Sequence, residues 1–94
     1  MDFRQLRYFT TIIEKKSYTK AARTLHISQP SLSNMIKKLE KEVGFQLLER
    51  STRELNLTES GAILYQRAVE LLNQLDHVKR ELEDVKKQEL EISQ

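Results

Sequence analysis

The most constraining feature of this 94-residue sequence is an uninterrupted run of apolar residues, spaced four and three apart, in its C-terminal third. The run comprises Leu64, Ala68, Leu71, Leu75, Val78, Leu82 and Val85. This spacing is the heptad seam of a coiled coil, in which one helix packs its apolar stripe against another. A helix over residues 59–88 would be about 45 Å long at 1.5 Å per residue, longer than a domain of this size covers. We therefore expect a partner helix from outside the chain.

The formal charge is divided between two segments. Residues 1–57 carry a charge of +5 and residues 58–94 a charge of −3, which together give the net +2. A basic segment followed by an acidic helical one predicts a head that binds a polyanion and a stalk that oligomerises or acts as a spacer. We place the domain boundary between residues 1–58 and residues 59–94.

The absence of cysteine excludes a disulfide framework, a thiolate metal site and a cysteine nucleophile. No apolar run approaches the roughly 18 residues that a membrane span needs, and the charged N-terminus is unlike a secretory signal. We expect a soluble cytoplasmic protein without a membrane partner.

The first two thirds of the chain predict three helices and a hairpin. The first helix covers Phe3 to Ile13, where apolar residues recur at intervals of three and four. Serines at the starts of the second and third helices and a threonine before the last are suited to capping, and a glycine is suited to ending the third. These are Ser17, Ser28, Thr58 and Gly44, respectively. The β-prone segments 45–50 and 54–57 predict a small hairpin that leans on the helices.

The segment from Tyr18 to Ile36 fits a helix-turn-helix. Such a pair needs a small residue where its helices approach, here Ala22, and a turn that usually contains glycine. His26 occupies the turn, and histidine is among the residues that tolerate left-handed backbone angles. This packing would hold the first turn of the second helix clear of the body, where its side chains can enter a major groove.

These residues resemble the N-terminal winged helix-turn-helix of LysR-type transcriptional regulators over nearly the whole chain. The resemblance is carried by Ala21, Ala22, Leu25, Ile27, Ser28, Gln29, Pro30, Leu32, Ser33, Ile36, Leu39, Glu40, Gly44, Leu47, Leu48, Arg50, Leu57, Thr58 and Gly61. It implies a mainly α fold with a small two-stranded wing and a long C-terminal helix that dimerises with an antiparallel partner.

The resemblance also implies a longer regulator, because members of this family carry a C-terminal effector-binding domain. We therefore expect no cofactor in this chain, and a small-molecule co-inducer would bind the absent domain. A tetramer, which is typical of the family, would also depend on that domain. The resemblance further suggests a target with an interrupted inverted repeat.

We predict that the chain binds double-stranded DNA through the recognition helix, about residues 28–43, and through the elements beside it. The side chains expected at bases or phosphates are Ser17, Thr19, Lys20, Gln29, Pro30, Ser31, Ser33, Asn34, Lys37, Arg50 and Arg53. Glutamine and asparagine can bond adenine bidentately, while serine, lysine and arginine suit phosphates and base edges. For Ser28, and to a lesser degree for the other serines, local capping is the competing interpretation.

Other chemistry has little support in the sequence. His26 and His77 stand far apart without cysteine, which disfavours a zinc site, and there is no glycine-rich phosphate loop. We expect no enzyme activity. Two alternatives to DNA binding remain: a coiled-coil interaction module with an incidental basic head, and an RNA binder. The RNA binder is the weaker one, because the chain lacks clustered aromatic residues for stacking bases.

Overall fold

The computed structural model describes residues 1–49 and 54–92, and the described chain is mainly helical, as predicted. Its helices are α1 (Phe3–Lys15), α2 (Tyr18–Leu25), α3 (Gln29–Val43) and α4 (Glu59–Ile92).

Helices α1, α2 and α3 pack around an apolar core. Its most completely buried large side chains are Phe9, Ile12, Leu32, Ile36, Leu39 and Leu47. Burying a side chain of this size contributes about 1.5–3 kcal/mol. Because α3 supplies three of these residues from one stripe, the core holds that side of α3 and leaves the opposite side free.

Each helix begins at a polar side chain that accepts a backbone hydrogen bond from the first turn, at 2.8 to 3.2 Å. The caps are Asp2 for α1, Ser17 for α2, Ser28 for α3 and Thr58 for α4. This confirms the predicted caps at Ser17, Ser28 and Thr58. Gly44 ends α3 with φ of 82°, which confirms the predicted left-handed residue.

Between α3 and α4, the strand pairing seen in residues 45–49 and 54–57 is shorter than the two predicted strands, 45–50 and 54–57, would give. The described residues contain one antiparallel bridge, between Leu48 and Leu57, instead of two extended strands. The tip, residues 50–53, lies outside the described part of the chain.

Buried groups hold this hairpin stem against the helices. Leu47 and Leu48 are 2% and 3% exposed, so the stem is part of the core. The buried carboxylate of Glu40 on α3 accepts hydrogen bonds from the N–H of Leu47 (2.7 Å) and that of Leu48 (3.4 Å). Beyond the bridge, the N–H of Glu49 donates to the carbonyl of Asn56 at 2.9 Å. A β pair this short is only marginally stable in water. The burial of Leu47 and Leu48 and their hydrogen bonds to Glu40 add the stability that so few strand hydrogen bonds cannot provide.

Gly61 allows the hairpin stem to pass directly over the start of α4. A Cβ atom on this residue would lie 2.0 Å from the carbonyl oxygen of Leu47. That oxygen also accepts a hydrogen bond from the N–H of Thr58 at 3.0 Å. In the sequence Gly61 is only one of the residues that carry the resemblance, whereas the structure gives it a packing role.

Helix α4 contains 34 residues, and only its first half packs on the rest of the chain. Ala68 and Leu72 form a second buried cluster with Leu6 of α1. Arg7 and Asp76 approach to 3.9 Å at the outer edge of this contact. Residues 77–91 are all exposed, so the second half projects from the head and the longest dimension of the molecule is 61 Å.

Candidate nucleic-acid interface

Helices α2 and α3 are joined by the tight turn that a helix-turn-helix requires. His26 ends α2 with φ of 58°, which confirms the left-handed conformation predicted for the turn. The N–H of Ile27 donates to the carbonyl of Ala22 at 3.0 Å. Ala22 itself is 4% exposed, in agreement with the need for a small residue between the two helices. Packing and turn geometry together fix the angle between α2 and α3.

The first turn of α3 is held by a local hydrogen-bond network. The Oγ atom of Ser28 accepts from the N–H of Ser31 at 3.2 Å, and the two hydroxyl groups lie 2.7 Å apart. Pro30 lies in the same turn, where its missing N–H costs no intrahelical bond. Ser28 is therefore the N-cap of α3. The hydroxyl of Ser31 is hydrogen-bonded to that of Ser28, and Ser31 remains exposed.

The side of α3 opposite the core carries most of the predicted DNA-contacting residues. Gln29, Pro30, Asn34 and Lys37 are exposed, and Ser33 is half-buried at the edge of this surface. The first turns of α3 therefore combine amide, hydroxyl and ammonium groups on one accessible surface. These groups can donate to and accept from base edges and phosphate oxygens.

The start of α2 lies outside this surface and has a different character. Ser17 is half-buried, and its side chain accepts from the N–H of Lys20 at 3.1 Å. Thr19 and Lys20 are exposed in the first helical turn. The positive end of a helix together with a lysine suits an anion such as a phosphate. Ser17 thus has a structural role as a cap, whatever else it contacts.

The two predicted wing residues, Arg50 and Arg53, lie outside the described residues. What the structure does describe is the hairpin stem that leads toward them and its anchor, Glu40. Sequence reasoning did not assign Glu40 a role. A signal was present, because Glu40 falls four residues after Ile36 and so continues the buried stripe of α3 with a charged side chain. A carboxylate in a buried stripe requires hydrogen-bond donors, and the hairpin stem supplies them.

The predicted dimerisation residues on α4 divide into two groups. Ala68 is fully buried against Leu6 of its own chain, so it has no surface left for a partner helix. This corrects its assignment to the dimer interface. We call the remaining residues, which are predicted to face a partner helix, the partner-facing seam: they are Leu64, Leu71, Leu75, Val78, Leu82 and Val85. Leu64 and Leu75 are half-buried, and the other four are 44% to 65% exposed.

Leu72, which lies beside the heptad seam in the sequence, is 7% exposed and packs with Leu6 of α1. Within the described residues, no helix is long and apolar enough to cross a bilayer.

Comparison with known proteins identifies the family. Residues 3–62 match the family model described as bacterial regulatory helix-turn-helix protein, lysR family. The HTH-type transcriptional regulator BenM of Acinetobacter baylyi is 47% identical over 78 residues, which are 83% of this chain and 26% of BenM. The Hca operon transcriptional activator HcaR of Escherichia coli is 43% identical over 79 residues, 84% of this chain and 27% of HcaR. The chain thus spans about a quarter of the length of these curated relatives.

Solved structures of DNA-binding domains in complex with DNA have the same fold. The BenM DNA-binding domain bound to catB site 1 DNA superposes with a TM-score of 0.87 at 44% identity, covering 90% of this chain and 94% of that one. The CbnR DNA-binding domain in its DNA complex gives 0.82 at 34% identity, covering 90% and 98%. With the turn at His26 and the exposed start of α3, these matches lead to one conclusion: the chain belongs to the lysR family of bacterial helix-turn-helix regulators.

Proposed function

We propose that this chain is the sequence-specific, double-stranded DNA-binding part of a transcription regulator, with the first turns of α3 in the major groove. The observation that carries the proposal is the division of α3 into two sides. Leu32, Ile36 and Leu39 lock one side into the core, while the other side presents Gln29 and Asn34 to solvent. A rigid helix that presents amide side chains on its leading end can read base edges without reorganising.

The exposed residues of α3 divide into readers and anchors. Gln29 and Asn34 are the proposed base readers, because an amide can donate to and accept from adenine at the same time. Ser31 and Ser33 are placed to bond a base or a phosphate, and Lys37 to bond a phosphate. Pro30 offers an apolar contact for a thymine methyl group.

Phosphate anchors outside α3 would fix the orientation of the head on the duplex. Thr19 and Lys20 at the start of α2 are the proposed anchors on one side of the recognition helix, with Ser17 holding that turn in place. Arg50 and Arg53 are proposed on the wing from the sequence alone. Such contacts strengthen binding to every sequence and carry no sequence information directly.

Dimerisation through α4 would place two such heads on one DNA molecule. The partner-facing seam supports this proposal, because its exposed apolar side chains have no covering element among the described residues of the chain. A two-fold dimer presents its heads to an inverted repeat, and linking the heads makes the second contact intramolecular. In a longer regulator, a small-molecule co-inducer and a tetramer would depend on residues outside this chain.

Selection of bound duplexes from a random pool tests this function. We expect an enriched inverted repeat whose affinity falls with salt, with about 0.9 counterion released per phosphate contacted. Equal enrichment of all sequences, a flat salt response, or preferential binding of RNA in competition would contradict the proposal.

Two lysines provide a matched control for this experiment. Lys37→Ala removes a charge from α3, and Lys87→Ala removes the same charge from the projecting half of α4. Only Lys37→Ala should weaken binding of a duplex that carries the selected repeat. An equal loss in both variants would mean that net charge, rather than the α3 surface, attracts the DNA.

A further inference from the structure

The hydroxyl groups of Ser28 and Ser31 are hydrogen-bonded to each other at the leading end of α3. The N–H of Ser31 donates to the Oγ atom of Ser28 at 3.2 Å, and the two Oγ atoms lie 2.7 Å apart. Both residues are exposed, so this pair stands on the surface that the proposed function places in the major groove. Each hydroxyl group has one proton and two lone pairs, so one of the two must donate to the other.

The capping bond favours Ser28 as the donor of this pair. Its Oγ atom already accepts the N–H of Ser31, and hydrogen bonds that follow one another in a chain polarise and strengthen each other. Donation from Ser28 to Ser31 extends this chain to the Oγ atom of Ser31. The reverse direction would bring two donors of Ser31 to one acceptor atom and end the chain there. The Ser31 hydroxyl group therefore keeps its own proton for an acceptor outside the protein.

Resting on the proposed function, we propose that Ser31 is a specificity-determining residue that donates its hydroxyl proton to the N7 atom of a purine. Ser28 is the residue that positions this proton. In the major groove, N7 is an acceptor that adenine and guanine share. Ser31 should therefore select a purine over a pyrimidine at one base pair in each half of the repeat, without distinguishing adenine from guanine.

The place of Ser31 on α3 favours a base edge over a phosphate. Ser31 is the third residue of α3, and the N-terminal residues of the second helix in a helix-turn-helix are the ones that contact base edges. Asn34, a proposed base reader, follows Ser31 by three residues and is exposed beside it on the helix surface. An amide that reaches a base edge brings the neighbouring hydroxyl group to the same depth in the groove.

Replacement of N7 by carbon tests the contact directly. Each purine of the selected repeat is exchanged in turn, in both halves, for its 7-deaza analogue, which keeps the base-pairing edge and lacks the acceptor. The parent chain should lose affinity about two- to tenfold per contact at one position, the effect of a single neutral hydrogen bond. Ser31→Ala should bind the unmodified duplex with a similar loss and the 7-deaza duplex no more weakly than the unmodified one.

Two substitutions of Ser28 separate its positioning role from its capping role. Ser28→Asp keeps a good cap, but its carboxylate can only accept, so the Ser31 proton turns toward it. Ser28→Thr keeps both the cap and a hydroxyl proton. Ser28→Asp should bind the unmodified and 7-deaza duplexes equally, whereas Ser28→Thr should keep the parental ratio of the two affinities. The added negative charge of aspartate weakens binding to both duplexes, so it cancels in this ratio.

Other outcomes would overturn the proposal. A parental ratio near one at every purine would show that Ser31 does not donate to N7. If Ser31→Ala instead cancels the effect of an uncharged methylphosphonate linkage, the hydroxyl group bonds a phosphate. If it cancels the effect of removing the N6 amino group of an adenine, the hydroxyl group accepts from the base. A parental ratio in Ser28→Asp would contradict the positioning role of Ser28.

The failure of this contact and the failure of the proposed function are distinguishable. If a repeat is enriched and Gln29→Ala or Asn34→Ala relaxes its preference, but no position depends on Ser31, only the inference about Ser31 is wrong. If no sequence is enriched from the random pool, the chain does not read bases, and the proposed function and this inference are both wrong.

Discussion

A single carboxylate, that of Glu40, ties the recognition helix to the hairpin stem. Its Oε2 atom accepts from two consecutive backbone N–H groups, those of Leu47 and Leu48, inside the protein. Buried backbone donors without an acceptor are costly, so this side chain stabilises the path of the chain immediately before the wing. The position of the hairpin stem relative to α3 therefore depends on one side chain of α3 itself.

We predict that Glu40→Ala lowers the free energy of unfolding by about 1–3 kcal/mol, because the N–H groups of Leu47 and Leu48 lose their acceptor. Glu40→Gln retains a side-chain oxygen at the same distance from the backbone and should lose at most about 1 kcal/mol. Urea unfolding followed by circular dichroism measures both values. Equal losses in the two variants would indicate that the carboxylate charge, rather than an acceptor, is required.

Substitutions on the exposed side of α3 should differ in their effect: some should reduce sequence preference, and others should reduce affinity for every duplex. Asn34→Ala and Gln29→Ala should relax the preference at particular base pairs by about 1–3 kcal/mol, whereas Lys37→Ala should weaken binding to all duplexes alike. A competition assay with a selected duplex and a scrambled one gives, for each variant, the ratio of its two affinities directly. Uniform losses in all three variants would contradict the division into readers and anchors.

At the residue scale, the sequence predicted local features and missed long-range ones. Caps at Ser17 and Ser28 and the left-handed turn at His26 depend on residues close in sequence, so their types alone indicate them. The hydrogen bonds of Glu40 join residues seven and eight positions apart through the hairpin stem. Nothing in local composition specifies that pairing, although a charge in the buried stripe was a signal that a partner existed.

At the scale of elements, the start of α4 is fitted to the hairpin stem through Gly61. Backbone passes over backbone there, and a methyl group on this glycine would overlap the Leu47 carbonyl oxygen at 2.0 Å. Gly44 is glycine for a different reason: its φ of 82° is left-handed, while a Cβ atom at that position would meet no other atom within 4 Å. The chain has these two glycines, and each stands at a junction between elements.

These two glycines form a matched pair for mutation. Gly44→Ala should cost about 1 kcal/mol, the strain of a left-handed alanine. Gly61→Ala should cost more, about 2–4 kcal/mol, because the overlapping atom belongs to the backbone and the stem must move away from α4. Thermal unfolding of the two variants beside the parent gives the comparison, and a smaller loss for Gly61→Ala would show that the stem moves freely.

The elements themselves were largely predictable, and their contacts were less so. Apolar periodicity indicated all the observed helices, including one too long for the head. It assigned Ala68 to the partner because the heptad pattern records only that a position is apolar. Whether such a position faces α1 or a second chain depends on how the helix is docked, which sequence spacing does not contain.

At the scale of the whole molecule, we propose that two copies pair along the exposed apolar residues of α4. The partner-facing seam continues for several turns beyond the head, where its side chains are exposed. We predict that Leu75→Asp abolishes the dimer by placing a charge in the middle of the seam. Sedimentation at micromolar concentration should then give the monomer mass, and binding to a two-site duplex should fall to that of a single head. A dimer mass for this variant would contradict the proposed interface.

The exposed stretch from residue 77 to residue 91 has a consequence for the shape of the free protein. An isolated helix of this length is marginal in water, since few of its residues repay the cost of nucleation. The end of α4 should therefore unwind on dilution and rewind on assembly. Far-ultraviolet ellipticity would then vary with protein concentration, so the helix content would itself report the fraction of chains that are paired.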